Sequence, residues 1–270
     1  MGHHNPYKPG PWRAVYDYLA LSLGWGFLGL LCLLWFPIAA LLHPLLPEAP
    51  GRRLGRRAIM GGARLYLRWL ALLGACRFDL DDLDALRGAP PLILAPNHPS
   101  LVDAVLVISR FPDLACVIKA ALLGNPLLGP AVRLARYIPN DSHLGTIRQA
   151  GAELGRGSHL LLFPEGTRTS RRPLGPLKGS VGLIARHYRV PVQTLLIETD
   201  SGYLGKGWPI LRRPRMPVHY RVRLGRRFDP PEDVRAFTAE LEGYLRAELS
   251  GAVGAGPELG AGGPMTPVIG

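Results

Sequence analysis

The sequence is poor in the residues that staple small secreted or metal-dependent folds. Its 270 residues include three cysteines, Cys32, Cys76 and Cys116. An odd, widely spaced set excludes a disulfide framework, and the lack of any CxxC pair argues against structural zinc. The eight histidines form no HExxH motif, so no metal is expected. Charge is sparse too, 19% of residues against 47% hydrophobic, and that balance excludes global disorder. Acidic residues are the minority sign, 20 against 32 basic, for a formal charge of +12.

The positive excess is confined to two stretches. Residues 78–200 carry 13 basic and 11 acidic side chains, whereas 48–77 carry seven Arg and one Glu, and 201–228 carry eight basic residues and no acid. Both stretches interleave their cations with apolar and aromatic residues, which suits an anionic membrane surface better than a duplex groove. Membrane lipids are therefore the expected partner, and nucleic acid is not.

From Tyr18 to Phe36 there is no charge at all (YLALSLGWGFLGLLCLLWF), followed by Pro37 and a second apolar run to Pro47. The first run nearly matches a hydrocarbon core in helical length, and Pro37 is expected to break or kink it, giving either a span or a hairpin in one leaflet. No small-residue cleavage site precedes the next charged block, so the segment reads as a retained anchor. Behind it, RRLGRRAIMGGARLYLRWLALLGACR sets Arg53, Arg57, Arg64 and Arg68 at helical spacing, the pattern of an interfacial amphipathic helix from Arg52 to Arg77. Trp208, in GYLGKGWPILRRPRMP, is placed to anchor a loop at the headgroup level.

After an acidic connector, short apolar runs (PLILAP, LACVIK, HLLLF, VQTLLIE, VHYRVRL) alternate with helical stretches near 100–109, 126–137, 142–155 and 178–189. That alternation predicts an α/β fold, closed by a final helix from Pro230 to about Leu249. The expected organisation is an anchor and basic helix over 1–77, the α/β domain over 78–250, and a disordered Gly/Ala/Pro-rich tail over 251–270.

Two constellations carry chemistry. In Asn97-His98-Pro99-Ser100-Leu101-Val102-Asp103, a strand ends and a helix begins, where α/β folds build their sites. Asp103 on the first helical turns can reach back to the His98 ring, fix its tautomer and support the imidazolium formed on proton abstraction. In Phe163-Pro164-Glu165-Gly166-Thr167-Arg168, Gly166 permits close backbone approach, Thr167 offers a hydroxyl and Arg168 a planar fork for an anion, with Lys178 close behind. A serine hydrolase would need GxSxG at a strand-to-helix elbow, and GSVG at 179–182 has the wrong spacing.

The pair NHPSLVD and FPEGTR resembles the paired signatures of the glycerolipid acyltransferase family, of lysophosphatidic acid acyltransferase type, and LKGSVGLI and VPVQTLLIE are similar to its later segments. The resemblance implies a mixed-sheet acyltransferase domain behind a hydrophobic helical membrane anchor. It implies transfer of a fatty acyl group from an acyl-CoA or acyl carrier protein thioester to a lipid hydroxyl, with no cofactor beyond that co-substrate. By the same carry-over His98 is the base and Asp103 its partner. Glu165, Gly166, Thr167, Arg168 and Lys178, with Asn97 and Ser100, bind substrate. The expected location is the cytoplasmic face of the cell membrane. One departure bears on the acceptor. Where the family carries an Arg between the motifs, the stretch ARYIPND places Asp141, which opens the alternative of a non-glycerophosphate acceptor such as an amino-acid lipid, a glycolipid or a polyketide-like lipid. A membrane-binding scaffold without activity is the non-enzymatic alternative, and it has no need of His98 with Asp103.

Overall fold

The structure, a computed structural model, describes residues 10–170 and 173–254. Helix α1 (Pro11–Leu45) and helix α2 (Glu48–Leu72) precede a seven-stranded sheet: β1 (Cys76–Asp79), β2 (Ile93–Pro96), β3 (Leu114–Ile118), β4 (Ile138–Pro139), β5 (His159–Leu161), β6 (Val192–Thr199) and β7 (Val218–Phe228). The intervening helices are α3 (Asp103–Ile108), α4 (Gly129–Leu134), α5 (His143–Gly155) and α6 (Ser180–Tyr188), and α7 (Val234–Gly254) closes the described chain. Strand order is β1-β7-β6-β2-β5-β3-β4, mixed because β6 and β7 are antiparallel while every other pair is parallel. In consequence β6, β2, β5, β3 and β4 all end on one edge of the sheet.

The central strands are buried along most of their length, and mostly apolar, because helices cover both faces of the sheet. Leu94, Cys116, Leu161 and Leu195 pack with α2 and α3, and their neighbours Ile93, Ala115, Leu160 and Leu196 pack with α5, α6 and α7. The two-residue alternation of strands thus feeds two cores, the three-layer solution for such a sheet. Strands β1 and β4 were not anticipated from the sequence. One is a four-residue edge strand that begins in the last residues of the expected basic helix and ends where the acidic connector starts, and the other has two residues, too short for any period to show.

Pro37 does not interrupt α1, which continues to Leu45 with Pro37 and Pro44 inside it. Pro37 is exposed, while Trp35, Phe36 and Ala39 around it are partly or fully buried; packing on both sides holds the helix through the missing N–H. A stripe at helical spacing (Asp17, Leu21, Gly24, Leu28, Leu31, Trp35, Ala39) is wholly or partly buried along the whole length. Near one end Tyr16 donates to the Leu73 carbonyl at 2.6 Å. Near the other, His43 Nε2 lies 3.1 Å from Arg136. The opposite face (Leu19, Leu23, Leu30, Leu33, Leu34, Ile38, Leu41, Leu45) is exposed.

Helix α2 ends at Leu72, so Arg77 belongs to β1 rather than to the helix. Arg53, Arg57 and Arg68 are exposed as expected, but Arg64 is half-buried and donates to the Ser109 carbonyl at 2.6 Å. Arg52 and Arg56 turn inward. The fully buried Arg56 reaches Asp113 (2.6 Å), Glu153 (2.8 Å), Ser158 (3.0 Å) and the Ala135 carbonyl (3.1 Å). Gly55 makes the approach possible, since a Cβ there would lie 2.6 Å from the Ala135 nitrogen. Breaking so buried a network costs roughly 3–5 kcal/mol. At the other end of the chain α7 runs to Gly254, four residues into the segment expected to be a tail. Residues 255–270, the rest of that tail, and Arg171 and Arg172 lie outside the described residues.

Candidate active site

His98 stands just beyond β2 at the shared strand edge, and Asp103 opens α3. Their side chains meet, Nδ1 to Oδ2, at 2.8 Å, and the same carboxylate oxygen accepts the Ser100 backbone N–H at 2.7 Å. Asp103 is fully buried, and its Oδ1 has no hydrogen-bond partner among the described residues. Burial pushes its carboxyl up to about 6, against the opposing pull of the His98 hydrogen bond and charge. With Nδ1 held by the carboxylate, Nε2 is the ring nitrogen left for a reacting proton. Phe163 stacks on the imidazole at 3.9 Å between ring centroids, with 23° between the planes.

The second motif grips the first through the backbone. His98 N–H donates to Glu165 Oε1 at 3.0 Å, and the His98 carbonyl accepts from Thr169 N–H at 2.7 Å. Glu165 is buried and also accepts from the Thr169 hydroxyl and the Gly175 N–H, each at 2.8 Å. Its oxygens are therefore spent on the protein, and it braces two loops rather than facing a ligand. Asn97 is used in the same way. Its amide donates to the Ile197 carbonyl at 2.9 Å and accepts the Ile197 N–H at 2.7 Å, clamping the loop to β6. Ser100 is fully buried, with its hydroxyl donating to the Tyr203 carbonyl at 3.0 Å and lying 3.3 Å from the Tyr220 hydroxyl.

The exposed part of the second motif is cationic. Gly166 adopts φ +66°, a conformation that favours glycine, and the Lys178 side chain crosses the loop within 2.8 Å of where a Cβ would stand. Thr167 and Lys178 are exposed. Arg168 is half-buried, and its Nη1 donates to the carbonyls of Leu204 (2.9 Å) and Gly205 (3.1 Å), which orients the guanidinium beside them. Those carbonyls belong to the loop after β6, which the sequence did not mark as part of the site, because backbone acceptors have no residue signature. Phe163 was passed over as well, although it sits inside its motif. Asp141 is exposed just after β4, on the same strand edge, and Lys119 is exposed at the end of the paired strand β3. Among the described residues no three His, Cys, Asp or Glu side chains gather into a metal-holding group.

A histidine oriented by a buried carboxylate, at the carboxyl edge of an α/β sheet and flanked by cations, is an arrangement able to take a proton from a hydroxyl beside an anion. The comparisons narrow the class. Residues 77–198 match the family model for Acyltransferase. A 1-acyl-sn-glycerol-3-phosphate acyltransferase of Pseudomonas aeruginosa is 25% identical over 202 residues, 73% of this chain and 74% of that protein. Lysophospholipid acyltransferase LPCAT4 of Mus musculus is 25% identical over 211 residues, 73% of this chain but only 37% of that longer protein. The crystal structure of the 1-acyl-sn-glycerophosphate (LPA) acyltransferase PlsC from Thermotoga maritima shares the fold, with a TM-score of 0.67 at 17% identity over 89% of this chain and 98% of that one. Residues 77–198 thus form an Acyltransferase domain, the relatives support the lysophosphatidic acid acyltransferase type, and the chain is an O-acyltransferase.

Proposed function

We propose that this protein transfers a fatty acyl group from an acyl-CoA or acyl carrier protein thioester to a hydroxyl of a lysophospholipid-like acceptor, with His98 as general base. The observation that carries the reading is the 2.8 Å contact of His98 Nδ1 with buried Asp103, which leaves Nε2 for the acceptor hydroxyl. Nε2 takes the hydroxyl proton as the oxygen attacks the thioester carbonyl. The tetrahedral adduct then collapses, expelling the thiolate, which takes the proton back from the imidazolium. A thioester is already activated, so one base suffices and no covalent enzyme intermediate is needed. Asp103 keeps the imidazole in the correct tautomer and stabilises the charged ring. Arg168 and Lys178 offer positive charge to the acceptor headgroup.

The same proposal sets the reaction at a membrane. Helix α1 is long and apolar enough to cross one, but it is packed on the domain near both ends and along its length. We read it as lying along the domain with its exposed apolar face in lipid and the basic face of α2 toward anionic headgroups. The cytoplasmic face is assigned from the cationic segment that follows the apolar run.

His98→Ala is expected to reduce acyl transfer roughly 100-fold or more, the usual size of a general-base loss, while folding and vesicle binding stay intact. Near-normal transfer by the purified variant would overturn the assignment.

A further inference from the structure

The loop between β6 and β7, residues 200–217, leaves the strand edge that carries His98 and divides into a root, an apex and a return arm. At the root, Leu204 sits at φ +56°, and its carbonyl accepts both Leu101 N–H (3.1 Å) and Arg168 Nη1 (2.9 Å). The Tyr203 carbonyl holds the Ser100 hydroxyl. The root is thus bonded to both motif loops. In the return arm, Arg213 reaches Asp17, fully buried on α1, at 3.2 Å and lies 5.4 Å over the Tyr18 ring, while Arg13 of α1 donates to the Met216 carbonyl at 3.1 Å. The same loop therefore joins the catalytic loops to the N-terminal turns of the apolar helix.

Among the described residues the apex is left largely uncovered. Ile210 is 58% and Leu211 79% exposed. They are held outward by a turn that closes on itself: Arg212 N–H donates to the Pro209 carbonyl at 2.9 Å, Trp208 Nε1 to the Arg212 carbonyl at 2.9 Å, and the Arg212 guanidinium stands 4.9 Å from the Trp208 ring centre. Lys206 and Arg212 are exposed beside the apolar pair, and the loop carries no carboxylate between Ser201 and Pro217. Two outward aliphatic side chains, an indole and exposed cations without acids are the composition of a surface that enters the headgroup region of an anionic bilayer.

We propose that the 206–212 apex is a second bilayer contact, separate from α1, which recognises anionic phospholipid and seats the reaction site on the surface through the Leu204 and Gly205 carbonyls. This rests on the membrane-surface reading above. Lipid contact at Ile210 and Leu211 constrains the root, and the root positions Arg168 and the backbone around Ser100. The apex is thereby a positioning element for a substrate that arrives from the bilayer.

The test uses the full chain reconstituted into vesicles of phosphatidylcholine alone or with added phosphatidylglycerol. Leu211→Cys, in a Cys32→Ser background, carries a polarity-sensitive nitrobenzoxadiazole probe, and co-flotation is measured on the same samples. With anionic vesicles the probe is expected to shift to the blue and become shielded from aqueous iodide; with phosphatidylcholine alone it is expected to stay accessible. At about 1 kcal/mol per cation near an anionic surface, Lys206→Gln should reduce the preference for anionic vesicles roughly fivefold. Ile210→Asp with Leu211→Asp should raise the apparent KM for a bilayer-borne acceptor more than it lowers kcat. A chain that floats with vesicles while its 211 probe stays equally open to iodide in both compositions overturns the second contact and leaves the membrane reading standing. A chain that does not float overturns both.

Discussion

Replacing Glu165 by Gln separates two roles that the sequence alone leaves merged, because a carboxylate in FPEGTR can hold the acceptor or hold the protein. In the structure Oε1 accepts from His98 N–H and the Thr169 hydroxyl, and Oε2 from Gly175 N–H. An amide in the same place keeps its oxygen toward the first two donors and turns its NH₂ against the third, so one bond to a charged acceptor is lost and two donors face each other. Hydrogen bonds to charged groups contribute about 1.5–3 kcal/mol, and a buried unsatisfied donor costs a similar amount. The expected destabilisation is about 2–3 kcal/mol, which for a domain of this size lowers Tm by roughly 4–12 °C. The His98 backbone shifts with its brace, and misplacement on the ångström scale costs up to about 100-fold in rate, so kcat is expected to fall while acceptor KM stays within a few-fold. Thermal unfolding and steady-state kinetics with varied acceptor report both quantities. An unchanged Tm together with a tenfold or greater rise in acceptor KM would refute the brace and return Glu165 to the acceptor site.

Much of this architecture is legible in the sequence, and the misses share a cause. Apolar runs mark β2, β3, β5 and much of β6, strands buried on both faces, the alternation of apolar with polar residues marks β7, and NHPSLVD places Asp103 on a first helical turn within reach of His98. What local pattern does not carry is direction. Arg52 and Arg56 have the same four-residue spacing as Arg53 and Arg57, yet one pair is buried against Glu153 and the other faces out, a difference set by what lies beneath α2. Pro37 reads as a break because its local penalty is plain, whereas the packing of Trp35 and Ala39 that outweighs it is tertiary. Asn97, Ser100 and Glu165 are polar residues at the site in either reading. Only coordinates distinguish a side chain turned to its own backbone from one turned to a ligand.

Three further expectations concern the reacting groups and the acceptor. Burial raises Asp103 to about 6 from an unfolded value of about 4. Between those values the native state binds more protons than the unfolded one, so Asp103 subtracts stability as pH rises through that window. Asp103→Asn, which cannot ionise, should therefore gain Tm relative to wild type between pH 4 and pH 7 while its acyl transfer falls; a Tm difference that does not change with pH would contradict this. Arg168→Lys keeps the charge but loses the planar guanidinium, of which Nη1 alone is committed to the Leu204 and Gly205 carbonyls, and it should raise acceptor KM more than donor KM in bisubstrate kinetics. Asp141 addresses the identity of the acceptor. It stands exposed after β4, on the strand edge where β2 delivers His98 and β5 delivers Arg168, so on the proposed reading its charge lies on the edge offered to a headgroup. A phosphomonoester carries roughly two negative charges at neutral pH and is repelled by a carboxylate there, while a diester, zwitterionic or neutral headgroup is repelled less. Asp141→Arg is therefore expected to improve use of lysophosphatidic acid relative to lysophosphatidylcholine with one fixed thioester donor. If wild type already favours lysophosphatidic acid and the substitution leaves the ratio unchanged, Asp141 does not face the headgroup, and Arg168 and Lys178 meet the phosphate without opposition.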